Sequence, residues 1–171
     1  MAAGIGNRFQ DETKYARGKL PGGGLEWRKR PETYKTCPGA PKVALPSPVI
    51  EGGRPLWETI GLRRSVRDFA DVGIRREELA QLLWAAQGIT KTIMGYDLRA
   101  VPSAGALYPV ETYLSVQKVE GIEPGIYHYN VRLHELDLLR SGDLRFELAR
   151  AALDQDFLAE AAIVFAWTAV F

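Results

Sequence analysis

Between Pro102 and Pro109 the chain reads Ser-Ala-Gly-Ala-Leu-Tyr. Two prolines this close exclude a helix or a central strand across them, and the small residues between leave the backbone nearly bare. The body must break here, and its two sides carry different patterns. Before the break, Leu79, Leu82, Leu83 and Ala86 recur at helical spacing. Glu77 and Glu78 sit in the first turn, where the helix dipole favours carboxylates, and Gly88 suits the residue just past the end. After the break, a strand is expected from about Glu111 to Val119. A hairpin follows, Gly125 to Tyr129 and Leu133 to Leu139, turning near Asn130.

The remaining segments fill in the same scheme. Pro55 fits a first helical position, and Leu56, Ile60 and Arg63 continue a short helix ending at Arg64 or Ser65. Gly142-Asp143 can start a helix running to about Leu153, and a helical turn spans Phe157 to Glu160. Ile163 to Phe171 is a continuous apolar strand, which implies cover on both faces and neighbours on both sides. Helices alternating with a mainly antiparallel sheet define an α+β class. Residues 1–53 read instead as an irregular arm, because Gly22-Gly23-Gly24 and prolines 21, 31, 38, 41, 46 and 48 interrupt regular structure. Phe9, Tyr15, Trp27 and Tyr34 supply rings that can anchor this arm, and residues 54–171 form the compact body.

Length and charge narrow the classes. The 171 residues suit one domain, and a net charge of +1 gives no case for nucleic acid or a membrane surface. The longest apolar run, Ala161 to Phe171, is interrupted by Thr168 and is shorter than the ~20 residues a membrane span needs. The single cysteine, Cys37, excludes an internal disulfide and has no His or Cys at metal-ligand spacing, so no metal site is expected. With no apolar signal segment at the N-terminus, the expected location is cytoplasmic.

Two segments can carry chemistry together. Arg63, Arg64 and Arg67 offer forked cationic donors, and Ser65 adds a hydroxyl, enough to hold a phosphate of about −1.5 to −2 charges. The Ser-Ala-Gly loop offers peptide groups that a flat ring can approach. FMN needs both, and a cation near its pyrimidine edge would stabilise the reduced ring. Each segment also has a plain structural reading: cations suit a helix C-terminus, and small residues between prolines make a tight turn. The loop is neither a nucleophile elbow nor a dinucleotide fingerprint, because G-x-S-x-G and G-x-G-x-x-G are absent from it. Tyr108 sits where it could stack on the ring or donate a proton, or simply pack, so catalytic residues stay unassigned. His128 alternates with Tyr127 and Tyr129, which directs it outward, and His128 and His134 read as structural.

Taken together, the strings RRSVRDF, LAQLLWAAQGIT, PSAGALYPVETY, EGIEPGIYHYN and GDLRFELARAALDQ resemble the nitroreductase superfamily, and within it the SagB-type dehydrogenase branch of thiazoline/oxazoline oxidases. They run in order over about residues 55–165, and NRFQDETKYARG in the arm looks like the same branch. The resemblance implies a nitroreductase-like α+β fold and a homodimer with FMN at its interface. It places Arg63, Arg64, Ser65 and Arg67 on phosphate, ribityl and pyrimidine. Pro102, Ser103, Ala104, Gly105 and Leu107 would reach the ring from the other subunit. The implied reaction is oxidation of an azoline to an azole in a ribosomally made peptide, with a precursor peptide or biosynthetic enzyme as partner. Members of the family continue with a further helix and strand, and azoline oxidases carry a Lys-Tyr pair there. Residues 54–171 are therefore expected to be the N-terminal portion of such a flavin-binding domain. An NAD(P)H-dependent nitroreductase or quinone reductase uses the same scaffold, and a flavin-free peptide-binding scaffold is the alternative of another class.

Overall fold

The computed structural model describes residues 4–15, 18 and 31–170. The chain divides into two units, Met1–Pro31 and Glu32–Phe171. In the first, α1 (Ile5–Thr13) precedes the proline-rich stretch and buries no residue. Phe9 and Tyr15 are exposed, and Trp27 lies outside the described residues.

The second unit is built on a five-stranded sheet ordered β1-β6-β5-β4-β7. Its strands are β1 (Lys42–Ala44), β4 (Val110–Val116), β5 (Gly125–Asn130), β6 (Glu135–Ser141) and β7 (Ile163–Ala169). Every pairing is antiparallel. A separate hairpin joins β2 (Ile89–Ile93) to β3 (Tyr96–Arg99). The helices are α2 (Leu56–Leu62), α3 (Arg76–Gln87), α4 (Arg145–Ala151) and α5 (Phe157–Glu160). The class is α+β, as the alternation of patterns implies.

Register divides the sheet into two chemically different faces. Leu114 lies opposite Tyr127, Tyr129 opposite Leu136, and Leu136 opposite Val43. This apolar face receives Leu79 and Leu83 of α3, and together they form the core. The opposite face carries a polar row across four strands: Lys42, Asp137, His128 and Tyr113 are successive cross-strand partners. β5 is the central strand, and His128 and Asp137 are 1% and 0% exposed. The outward direction expected for His128 is thus corrected. Alternation told which face it takes but not that segment 33–37 covers that face.

Other local expectations shift for visible reasons. Leu82 is exposed, and the buried stripe of α3 is Leu79, Ala80, Leu83 and Gln87. Gly88 has φ −59°, so it is not a left-handed helix stop. It is glycine because a Cβ there would meet Trp84 Cα at 2.7 Å. Among the described residues β7 pairs with β4 alone, and it is exposed from Ala166 onward, against the expectation of neighbours on both sides and cover on both faces. The β2–β3 hairpin had no counterpart in the sequence reading. Its turn is Met94-Gly95, both at positive φ (50° and 81°), which suits the twist of a two-residue hairpin.

Candidate functional site

The Pro102–Pro109 loop is a tight, left-handed structure. A 3-10 turn covers Ala104–Ala106. Gly105, Ala106 and Tyr108 have φ of 63°, 52° and 46°. For residues with a Cβ such angles cost of order 1–2 kcal/mol each, so the surroundings must enforce them. They do. The Tyr108 N–H donates to Ser103 Oγ (2.8 Å), and Tyr108 Oη accepts from the Arg99 N–H (3.0 Å). The Arg99 guanidinium lies 4.5 Å from the Tyr108 ring centre. Arg99 Nη2 also donates to the Thr33 carbonyl at 3.0 Å. Tyr34 is held on the same side: Arg99 and Arg132 flank its ring, and its hydroxyl donates to Asp97 (2.5 Å). Burial and the Asp97 carboxylate push the Tyr34 phenol up to about 12.

The loop opens on a cavity of about 550 Å³ lined by Gln87, Pro102, Ser103, Ala104, Tyr108 and Trp167, among others. Its size is that of a small-molecule site. Gln87 is 5% exposed, yet its Oε1 has no hydrogen-bond partner among the described residues. An unpaired buried acceptor is costly unless a donor arrives from elsewhere. A flat heteroaromatic ring with N–H groups fits this wall: bare backbone on one side, Trp167 on another, and one acceptor waiting.

The basic turn lies elsewhere in the chain. Arg63, Arg64, Ser65 and Arg67 are all exposed and follow α2 directly. Arg64 Nη1 donates to the carbonyls of Gly61 (3.1 Å) and Arg63 (2.8 Å), capping the helix end. The Arg67 guanidinium lies 5.7 Å from the Phe157 ring centre, and Phe157 pairs with Phe69. Phe69 lines a second cavity of about 520 Å³, and the two cavities share no lining residue. Of the sequence candidates, Pro102, Ser103, Ala104 and Tyr108 come together at the loop cavity. Gly105 and Leu107 belong to the same loop, and the four basic-turn residues are not among those lining it.

Sequence reasoning missed a second cluster on the polar face of the sheet. His128 Nδ1 lies 3.8 Å from Cys37 Sγ and 3.4 Å from Asp137 Oδ2, and His128 Nε2 lies 2.7 Å from Glu111 Oε2. Lys42 bridges Asp137 and Glu135 at 2.6 Å each. Lys35 donates to Tyr113 Oη at 2.5 Å. Burial and the Asp137 carboxylate hold the Cys37 thiol up, so it is no activated nucleophile. Cys37 has no His or Cys at metal-ligand spacing along the chain, yet the fold brings His128 and Asp137 beside it. Cys37 and His128 are 91 positions apart, and no local spacing could announce the pair.

An antiparallel α+β chain whose strained, bare loop opens on an apolar cavity has the build of a small-ligand enzyme domain. The family model described as the nitroreductase family matches residues 60–171, and the chain belongs to that family. A Methanocaldococcus jannaschii protein described as a nitroreductase is 42% identical over 102 residues, 60% of this chain and 50% of that protein. A trifolitoxin-processing protein of Rhizobium leguminosarum bv. trifolii is 55% identical over 42 residues, 24% of this chain and 11% of that protein. A crystal structure described as a nitroreductase from Anabaena variabilis superposes with TM-score 0.72 at 26% identity, covering 98% of this chain and 32% of that one. The chain thus spans about half the length of the curated relative (50%) and about a third of the solved structure (32%).

Proposed function

We propose that this chain forms the FMN-binding part of a SagB-type oxidoreductase, which oxidises an azoline ring to an azole in a ribosomally made peptide. The observation that carries the reading is the loop cavity with its bare backbone, Trp167 wall and unpaired Gln87 Oε1. FMN, when bound, supplies a two-electron acceptor for removing two hydrogens from the azoline. Pro102, Ser103, Ala104, Gly105 and Leu107 would lie against its ring, and Gln87 would accept from a ring N–H. Arg63, Arg64, Ser65 and Arg67 would bind phosphate, ribityl and pyrimidine.

The basic-turn residues are not among those lining the loop cavity, and a homodimer would bring the loop of one subunit to the basic turn of the other. That arrangement also covers Leu56, Trp57 and Ile60, which α2 leaves exposed. Tyr108 Oη accepts the Arg99 N–H, so its own O–H is left to donate, and Tyr108 is the candidate proton carrier at the cavity. The trifolitoxin-processing relative supports a peptide substrate, although it aligns over only 42 residues.

The test pairs binding with product analysis. Purified protein is expected to be yellow, or to take up added FMN, and to lighten an azoline peptide by two hydrogens. Arg63→Ala should weaken FMN binding by about tenfold or more, since a charge-assisted contact contributes about 1.5–3 kcal/mol. Unchanged affinity in titration would remove Arg63 from the site. Turnover of nitroaromatics or quinones with NAD(P)H, and none of the azoline, would assign the chain to reductase chemistry. Protein that never binds flavin would make it a scaffold.

A further inference from the structure

We propose that Cys37, His128 and Asp137 form a zinc site that fastens segment 32–41 to the polar face of the sheet. Their donor atoms lie within 4.8 Å of one another. Tetrahedral zinc, with bonds of about 2.0–2.3 Å, places neighbouring donors roughly 3.3–3.8 Å apart. The observed separations from His128 Nδ1, 3.4 Å to Asp137 Oδ2 and 3.8 Å to Cys37 Sγ, fall at that edge length. One each of sulfur, nitrogen and oxygen suits zinc better than magnesium or calcium, and water completes the fourth position.

The surroundings are built for the same purpose. A metal-ligating imidazole usually donates its other N–H to a carboxylate, which fixes the ring and the tautomer. Glu111 holds His128 Nε2 in that way at 2.7 Å. Lys42 engages Asp137 Oδ1, leaving Oδ2 turned toward the imidazole. His128 and Asp137 are buried, and Cys37 is partly exposed, which leaves an entry path. Binding replaces the thiol proton by the metal and joins three elements: the segment before β1, β5 and β6. Glu111 is the second residue of β4, two residues after Pro109, so the site braces the strand that follows the Pro102–Pro109 loop.

The test uses the chain stripped with EDTA and titrated with Co²⁺, then with Zn²⁺ in competition. One equivalent of Co²⁺ should bind with a thiolate-to-cobalt absorption band in the near ultraviolet. Cys37 is the only cysteine of this sequence, so no other thiolate in it can produce that band. Cys37→Ser should abolish the band and the rise in thermal midpoint that Zn²⁺ gives the wild type, with the metal-free midpoint showing that the variant folds. Glu111→Gln should retain the band and weaken Zn²⁺ about 10–100-fold, the usual effect of removing such a partner. No band at saturating Co²⁺, or Zn²⁺ binding equally tight in Cys37→Ser, would overturn the site. Neither result bears on FMN binding, which the spectrum of the flavin reads separately.

Discussion

His134 shows what one residue can encode. Its Nε2 faces the Pro46 carbonyl at 3.0 Å, and a carbonyl only accepts, so Nε2 carries the proton. Its Nδ1 then accepts from the Tyr129 hydroxyl at 2.8 Å. Both contacts are complete with a neutral ring, and burial lowers the folded pKa of His134 below its ordinary 6.5. In the window below 6.5 the unfolded chain binds the proton and the folded chain does not. This contribution is therefore full above about pH 6.5 and is lost as pH falls toward the depressed folded value. Urea midpoints should decline across that window in the wild type. They should decline less in His134→Gln, which keeps a donor and an acceptor without titrating. Equal slopes for the two would remove His134 as the cause. Tyr108 makes a complementary point: its positive φ follows from the contacts of Ser103 and Arg99, not from its own preference.

At the scale of elements, α2 is the unusual one. Its large apolar residues Leu56, Trp57, Ile60 and Leu62 are all exposed, Trp57 to 82%. Apolar surface gathered on one short helix marks an interaction face. If a second copy covers it, Trp57→Lys should convert the dimer to a monomer in light scattering. Flavin occupancy should fall with it, because the basic turn starts where α2 ends. A dimer of unchanged mass would dissociate α2 from the interface. By contrast, α3 has its partners within the chain. Arg75 closes its first turn by donating its N–H to Glu78 (2.8 Å), and Leu79 and Leu83 reach the sheet. Its start was readable in Glu77 and Glu78. Its end depended on how closely Gly88 approaches Trp84, which no composition rule contains.

Over the whole molecule, one core joins α3 to the central strands, and Leu114 sits at its middle. Leu114 is 0% exposed and lies opposite Tyr127 on one side and Phe165 on the other. Leu114→Ala should lower the unfolding free energy by about 2–5 kcal/mol, measured in urea. A loss below about 1 kcal/mol would mean that the strands do not close over it as described. Of the fold, α2, α3, the β5–β6 hairpin, α4, α5 and β7 were legible, because each announces itself within a dozen residues by period, cap or turn. Of the candidate site, the loop residues were legible as a group. The unpaired Gln87 Oε1 was not, since only packing removes its alternative partners.

Local order here came from the residues themselves: helical spacing in 79–87, alternation in 111–116 and 125–130, and prolines at 102 and 109 that allow no α-helix or central strand across them. Pairing over distance did not. That Lys42, Asp137, His128 and Tyr113 fall in one row, or that Cys37 closes over it, depends on strand order and register. Backbone periodicity is a short-range signal, whereas the choice of neighbour is made by the burial of whole faces. Only the assembled sheet could decide that an outward-alternating histidine is among the most buried residues in the chain.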